Sequence, residues 1–200
     1  MMKRLAFSIA LAVLSLAFCI PAEAQRYSVS TNLLEWANLG TVNAEAGLAV
    51  AQHFSLHAGF RYNNWTFRKG NPDDRFEDPY GDAERQFENR KQAYCLSTRY
   101  WPWYIYSGWW AQLKGQYMEY NRGGIFRHEA EEGDAWGAGF GVGYTRMIHK
   151  NWNIEFGLGL WAGTTRYTGY RCTNCGFVTD QGRKFFLLPD DAYISLVLIF

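Results

Sequence analysis

The sequence predicts an all-β fold, an eight-stranded antiparallel up-and-down transmembrane β-barrel. Three observations carry that expectation. Long segments alternate large apolar residues with polar residues or glycine, the period of a strand with two different faces. The connections between them are in part short turns and in part long charged segments, and the two kinds fall at opposite ends of the strands. Aromatic residues, including 9 Trp and 13 Tyr, gather near the strand ends. After the first 24 residues no run of 18 apolar residues occurs, which excludes a spanning helix.

The chain opens with a basic Lys3-Arg4, an apolar stretch from Leu5 to Ile20, and Ala22-Glu23-Ala24 before Gln25. That order is expected to be a signal peptide over residues 1–24, cleaved on export. An uncleaved anchor is the rival, but the apolar stretch is short and ends in a cleavage pattern. Cys19 is a poor lipidation site, because bulky Phe18 precedes it. Residues 25–200 then form the barrel, and the apolar alternation sets its strands.

The first strand is expected over Tyr27–Trp36 and the second over Val42–Val50. The third starts at Phe54 and sets Phe54, Leu56, Ala58, Phe60 and Tyr62 against Ser55, His57, Gly59, Arg61 and Asn63. Tyr94–Tyr100 and Trp109–Tyr120 follow less cleanly. The sixth sets Trp136, Ala138, Phe140, Val142 and Tyr144 against glycines 137, 139, 141 and 143. The seventh runs from Trp152, and Ala192–Phe200 closes the barrel with Ile194, Leu196, Leu198 and Phe200 on one face. Segments of about 10 residues suit a tilted bilayer crossing; the strands of a soluble sandwich, the alternative, average about 5–6. Phe200 at the end of such a strand has the form of an assembly signal for outer-membrane barrels, read by the barrel assembly machinery.

Short turns are expected at Ala51–His53, Pro102–Gly108 and His149–Asn151, and long external loops at about 68–92, 121–134 and 169–189. Arg68–Lys91 holds 13 charged residues in 24, too polar for a lipid face. With prolines 72 and 79 and with Phe76, Tyr80 and Phe87 among its charges, it suits a surface protein or glycan partner. Trp101, Trp103, Tyr104, Tyr106, Trp109 and Trp110, joined by Trp152 and Phe200, are expected to form one interfacial girdle. Trp65, Phe67, Tyr120, Trp136 and Tyr167 approach the other.

If the apolar phase meets lipid, the opposite phase fills the lumen, which eight strands leave just wide enough for side chains. Glu45 and Glu155 should then meet Arg61, Arg99 and Lys114 in a buried polar network. Glycines of strands six and seven should leave room for long Arg and Trp side chains. The network is either a polar core or the lining of a narrow ion or small-solute channel. Once Lys3, Arg4 and Glu23 leave, 18 basic and 18 acidic residues remain, so no bulk positive field points to nucleic acid. Gly139-x-Gly141-x-Gly143 has the period of a strand, and no helix follows Gly157-x-Gly159, so no dinucleotide cofactor is expected.

Cys172-Thr-Asn-Cys175 lies in the last long loop. A local disulfide, a metal site with His128, free thiols and redox chemistry are its four readings. No catalytic set is evident: His128 and the acidic residues 129, 131, 132 and 134 are the only material for a lipid-modifying outer-membrane enzyme.

Several motifs carry a family resemblance. They are Thr31-Asn32-Leu33-Leu34, Asn43-x-Glu45, Tyr62-Asn63-Asn64-Trp65-Thr66-Phe67, Arg99-Tyr100-Trp101, the alternating glycines from Gly137, and Cys172-x-x-Cys175-Gly176. Across essentially the whole mature chain the protein resembles the DUF 3575 family of small Bacteroidota outer-membrane proteins. Asn64 departs from a proline expected at that strand end. The resemblance implies an outer-membrane barrel with no assigned activity and a link to fimbrial or cell-envelope assembly.

Overall fold

The computed structural model describes residues 26–38, 40–69, 85–123, 130–171 and 177–200. Alternation of apolar and polar residues produces eight strands: β1 (Tyr27–Asn32), β2 (Val42–Ala51), β3 (Phe54–Lys69), β4 (Arg85–Tyr100), β5 (Gly108–Gly123), β6 (Ala130–His149), β7 (Trp152–Tyr170) and β8 (Val178–Ile199). They form a closed barrel in chain order, antiparallel throughout, with β1 against β8 from Ser28↔Ile199 to Asn32↔Ser195. No helix among the described residues is long and apolar enough to cross a membrane.

The two faces of each strand separate as the period requires. On β3, Phe54, Leu56 and Phe60 are exposed on the outer wall, whereas Ser55, His57 and Asn63 are buried in the lumen. On β7, Phe156, Leu158 and Leu160 face out while Asn153, Glu155 and Trp161 face in. The core therefore lies inside the cylinder and is largely polar.

Strand ends depart from the sequence expectation. The first strand stops at Asn32, not Trp36, and residues Leu33–Ala37 form a short helix, α1. Asn32 caps it by accepting from Leu34 N, and its side chain also accepts from Ile194 N of β8. Pairing also runs on into all three segments expected to be long loops, through Lys69↔Arg85, Gly123↔Ala130 and Tyr170↔Val178. The polar composition suggested loops there. A hairpin standing in water, however, needs no apolar face to keep its backbone hydrogen bonds. His128, Cys172 and Cys175 lie outside the described residues, as does the expected signal segment.

Among the described residues, unequal strand lengths leave the wall uneven at the long-hairpin end. β1 has 6 residues and β8 has 22. β2 reaches only Val42↔Tyr62 on β3. Among the described residues, the upper parts of β3 and β8 therefore each have a strand on one side only.

Candidate functional site

The lumen is built in three layers. At the short-turn end Trp101, Tyr106 and Trp110 pack with Tyr193, Val197 and Ile199. The Trp101 ring lies 5.8 Å from Tyr106 and 6.4 Å from Trp110. Their polar tips are satisfied: Trp101 Nε1 donates to Ser55 Oγ (2.9 Å), Trp110 Nε1 to Thr145 Oγ1 (3.1 Å) and Tyr106 OH to the Arg26 carbonyl (3.2 Å). This corrects the expected girdle, because those three rings are buried. Trp103, Tyr104 and Trp109 of that cluster are exposed, as are Trp152 and Phe200. Trp101 and Trp110 continue the inward phases that hold Arg99 and Gln112, and the turn carries Tyr106 in. Tyr106 takes φ 57° and Gly108 φ 78°, which folds the connection back across the opening. Tyr120, assigned to the opposite girdle, is also buried.

Above this plug sits the charged layer. Arg99 Nη2 donates to Glu45 Oε1 (2.6 Å), Nη1 to Glu155 Oε2 (3.0 Å) and Nε to Gln112 Oε1 (3.3 Å). Its guanidinium also lies 4.6 Å over the Trp110 ring. Each donor nitrogen of the fork is engaged, the condition under which a buried cation is tolerated. Arg61 pairs with Glu35 of α1 at 3.8 Å, a partner the sequence did not suggest, and Lys114 donates to Gln116 Oε1 at 3.1 Å. Glycines provide the room: a Cβ at Gly143 would fall 2.3 Å from the Trp110 ring, and one at Gly139 2.6 Å from the Lys114 chain. The long chain admitted there besides Trp is thus a lysine, where Arg was expected.

A connected chain runs beside Arg99. Ser55 Oγ lies 2.8 Å from His57 Nε2, and His57 Nδ1 lies 3.1 Å from Glu45 Oε1. The order serine, histidine, carboxylate is that of a hydrolase triad. Ser55 is fully buried, however, and its Oγ accepts the Trp101 indole N–H. In that setting the chain satisfies buried polar atoms and leaves no room for a substrate carbonyl. Sequence reading missed it because Ser55 and His57 share a strand whereas Glu45 comes from its neighbour.

The third layer holds Ala93, Met118, Tyr120, Ala135 and Trp161, with Phe186 packed on it. Tyr120 OH donates to Glu131 Oε1 (2.7 Å) and meets Thr165 Oγ1 (3.0 Å). Beyond it the surface is charged with both signs. Lys91 Nζ reaches Glu35 Oε2 at 2.7 Å, and Lys184 Nζ reaches Glu131 Oε2 at 2.6 Å. Partial burial pulls the Glu131 carboxyl upward, but the Lys184 and Tyr120 hydrogen bonds and the Lys184 and Arg122 charges hold it below its ordinary range. The Tyr170 hydroxyl donates to Glu132, which raises its pKa. A cavity of about 510 Å³ opens at this end, lined on the inward phase by Asn63, Lys91, Tyr120, Gly133 and Tyr167.

Among the described residues no cluster of three His, Cys, Asp or Glu side chains is placed to hold a metal ion, and Cys95 forms no disulfide there. A family model described as a protein of unknown function (DUF3575) matches residues 10–200. Neither a curated protein nor a solved structure gives a significant match.

Proposed function

Because the chain belongs to the DUF3575 family, described only as of unknown function, we propose its role from its surfaces: a bacterial outer-membrane barrel with a structural or surface-interaction function in the cell envelope, its long hairpins turned outward. One observation carries this reading. The outer wall displays a ring of large apolar side chains, among them Leu96, Leu113, Phe140, Leu158 and Leu160, each more than half exposed. Water would penalise such a belt heavily, while a bilayer covers it. Trp103, Tyr104, Trp109 and Trp152 lie near its short-turn edge, and Trp136 near the other, where interfacial aromatics belong. The partners would be outer-membrane lipids and, through the hairpins, a surface protein or glycan.

Heat-modifiable gel migration and recovery with the sarkosyl-insoluble outer membrane are expected. Recovery as a soluble periplasmic monomer would overturn the reading. Phe200 exchanges backbone hydrogen bonds with Tyr27 at 2.9 and 3.0 Å, so its deletion should open the closing seam and lower the assembled fraction.

The filled lumen supports a plug over a narrow channel, and planar-bilayer recordings of pure protein should stay silent. Reproducible openings that change on Lys114 or Glu155 substitution would reverse this. A hydrolase reading rests on Ser55–His57–Glu45 alone; covalent labelling of Ser55 by a fluorophosphonate would favour it, and we expect none.

A further inference from the structure

We infer that the free edge of β8, from Asp180 to Leu188, docks an extended strand of a partner protein, added antiparallel with an acidic side chain opposite Arg183. The inference rests on the proposed outward placement of the hairpins for the partner's access, though not for the binding itself.

An edge strand carries unpaired N–H and C=O groups, which template another strand. β8 pairs with β7 along its whole upper half, from Leu160↔Pro189 to Gly169↔Asp180. On its other side β1 reaches only Ser195, and among the described residues no other strand pairs with it. Of residues 180–188 all but Phe186 are exposed. Pro189 and the bulges at Gly159/Leu160 and Gly169/Tyr170 bound the usable stretch. Such features limit unspecific sheet growth and leave a short, defined edge.

Side chains define what fits. Arg183 lies directly across from Arg166 on the outer face, and Arg166 lies in turn across from Asp134 of β6, so Arg183 is the arginine with no carboxylate opposite it in the register. Among the described residues neither arginine has an ion-pair partner. A carboxylate on an added strand would neutralise Arg183 from the open side. Two and four residues further along that face Phe185 and Leu187 stand 71% and 62% exposed, so the incoming strand should alternate acidic, apolar, apolar.

The probe is a synthetic peptide with the sequence of Leu160–Thr168, the stretch of β7 already in register with β8, carrying Arg166→Glu. It is titrated onto the full chain in nanodiscs, read by fluorescence anisotropy and backbone hydrogen exchange. Saturable binding should protect alternate amides between Asp180 and Leu188. Arg183→Glu should weaken this peptide about tenfold and favour the peptide that keeps arginine. A peptide N-methylated at the edge-facing amides should not bind. Equal binding of the N-methylated peptide, or an Arg183→Glu effect confined to retention on anionic-lipid vesicles, would overturn the proposal; the latter would assign the arginines to lipid headgroups. Failure of the chain to enter nanodiscs would instead sink the membrane reading, and the same titration on detergent-held barrel would still test the edge.

Discussion

The two ends of the barrel solve opposite problems. At the short-turn end a connection folds inward, and Trp101, Tyr106 and Trp110 seal the opening over an ion-paired layer. At the other end the wall rises past its own closure, the side chains turn charged, and among the described residues both β3 and β8 keep an unpaired edge. The contrast separates stability from recognition. Groups locked at the sealed end have several partners each and little access to solvent. At the open end the Lys184–Glu131 pair is more than a third exposed on both sides and can exchange partners cheaply.

The largest expected effect breaks the sealed end. Arg99→Ala leaves Glu45 and Glu155 without the cation that bridges them, a loss of about 3–5 kcal/mol. Urea unfolding followed by tryptophan fluorescence should show a lowered midpoint, and Glu45→Gln with Glu155→Gln in the same background should recover part of it. An unchanged midpoint for Arg99→Ala would mean that the layer does not hold the barrel together. Gly143→Ala tests the space beside it. The new methyl would meet both the Trp110 ring at 2.3 Å and the Phe156 carbonyl at 2.5 Å, so a loss of about 1–3 kcal/mol is expected.

Two tryptophans sharpen the comparison. Trp110 Nε1 donates to Thr145, which in turn donates to Glu155 at 3.1 Å. Trp161 Nε1 is buried without a hydrogen-bond partner among the described residues. Trp110→Phe should therefore cost about 1–3 kcal/mol more than Trp161→Phe, since only the first leaves polar neighbours short of a donor. Equal losses in thermal melts of the two variants would show that volume, not hydrogen bonding, sets the value of both rings.

How much of this could be read in advance follows from the same contrast. Strand number, phase and the Glu45, Arg99 and Glu155 layer were legible, because a period of two fixes which side chains share the lumen. Trp110 was legible too, two residues before Gln112 on the inward phase, but its place in an aromatic cluster suggested a girdle. Trp101 was legible in the same way, two residues after Arg99, whereas Tyr106 was not, since its inward fold depends on a positive φ at a tyrosine. Glu35 was hidden by a helix that interrupts an apparently continuous strand. The free edges were hidden because polarity marked their residues as loop, and only pairwise register shows which strands outrun their neighbours.

The smallest effect belongs to the open end. Glu131 titrates below its ordinary value when folded, held there by Lys184 and Tyr120 against the pull of partial burial. A depressed carboxyl contributes stability above its unfolded pKa and loses it as pH falls through the folded value. The contribution is therefore present at neutral pH and fades in acid, below the ordinary carboxylate value of 4.5. Lys184 and Glu131 are both more than a third exposed, so screening keeps the pair to a few tenths of a kcal/mol. Glu131→Gln should shift the neutral-pH midpoint only slightly, should flatten that part of the acid dependence, and should matter less in 1 M salt than in 0.05 M. A large, salt-independent loss would mean that the Tyr120 hydroxyl, clamped between Glu131 and Thr165, fastens the upper hairpins to the lumen, and the division between a rigid end and a labile one would have to move outward.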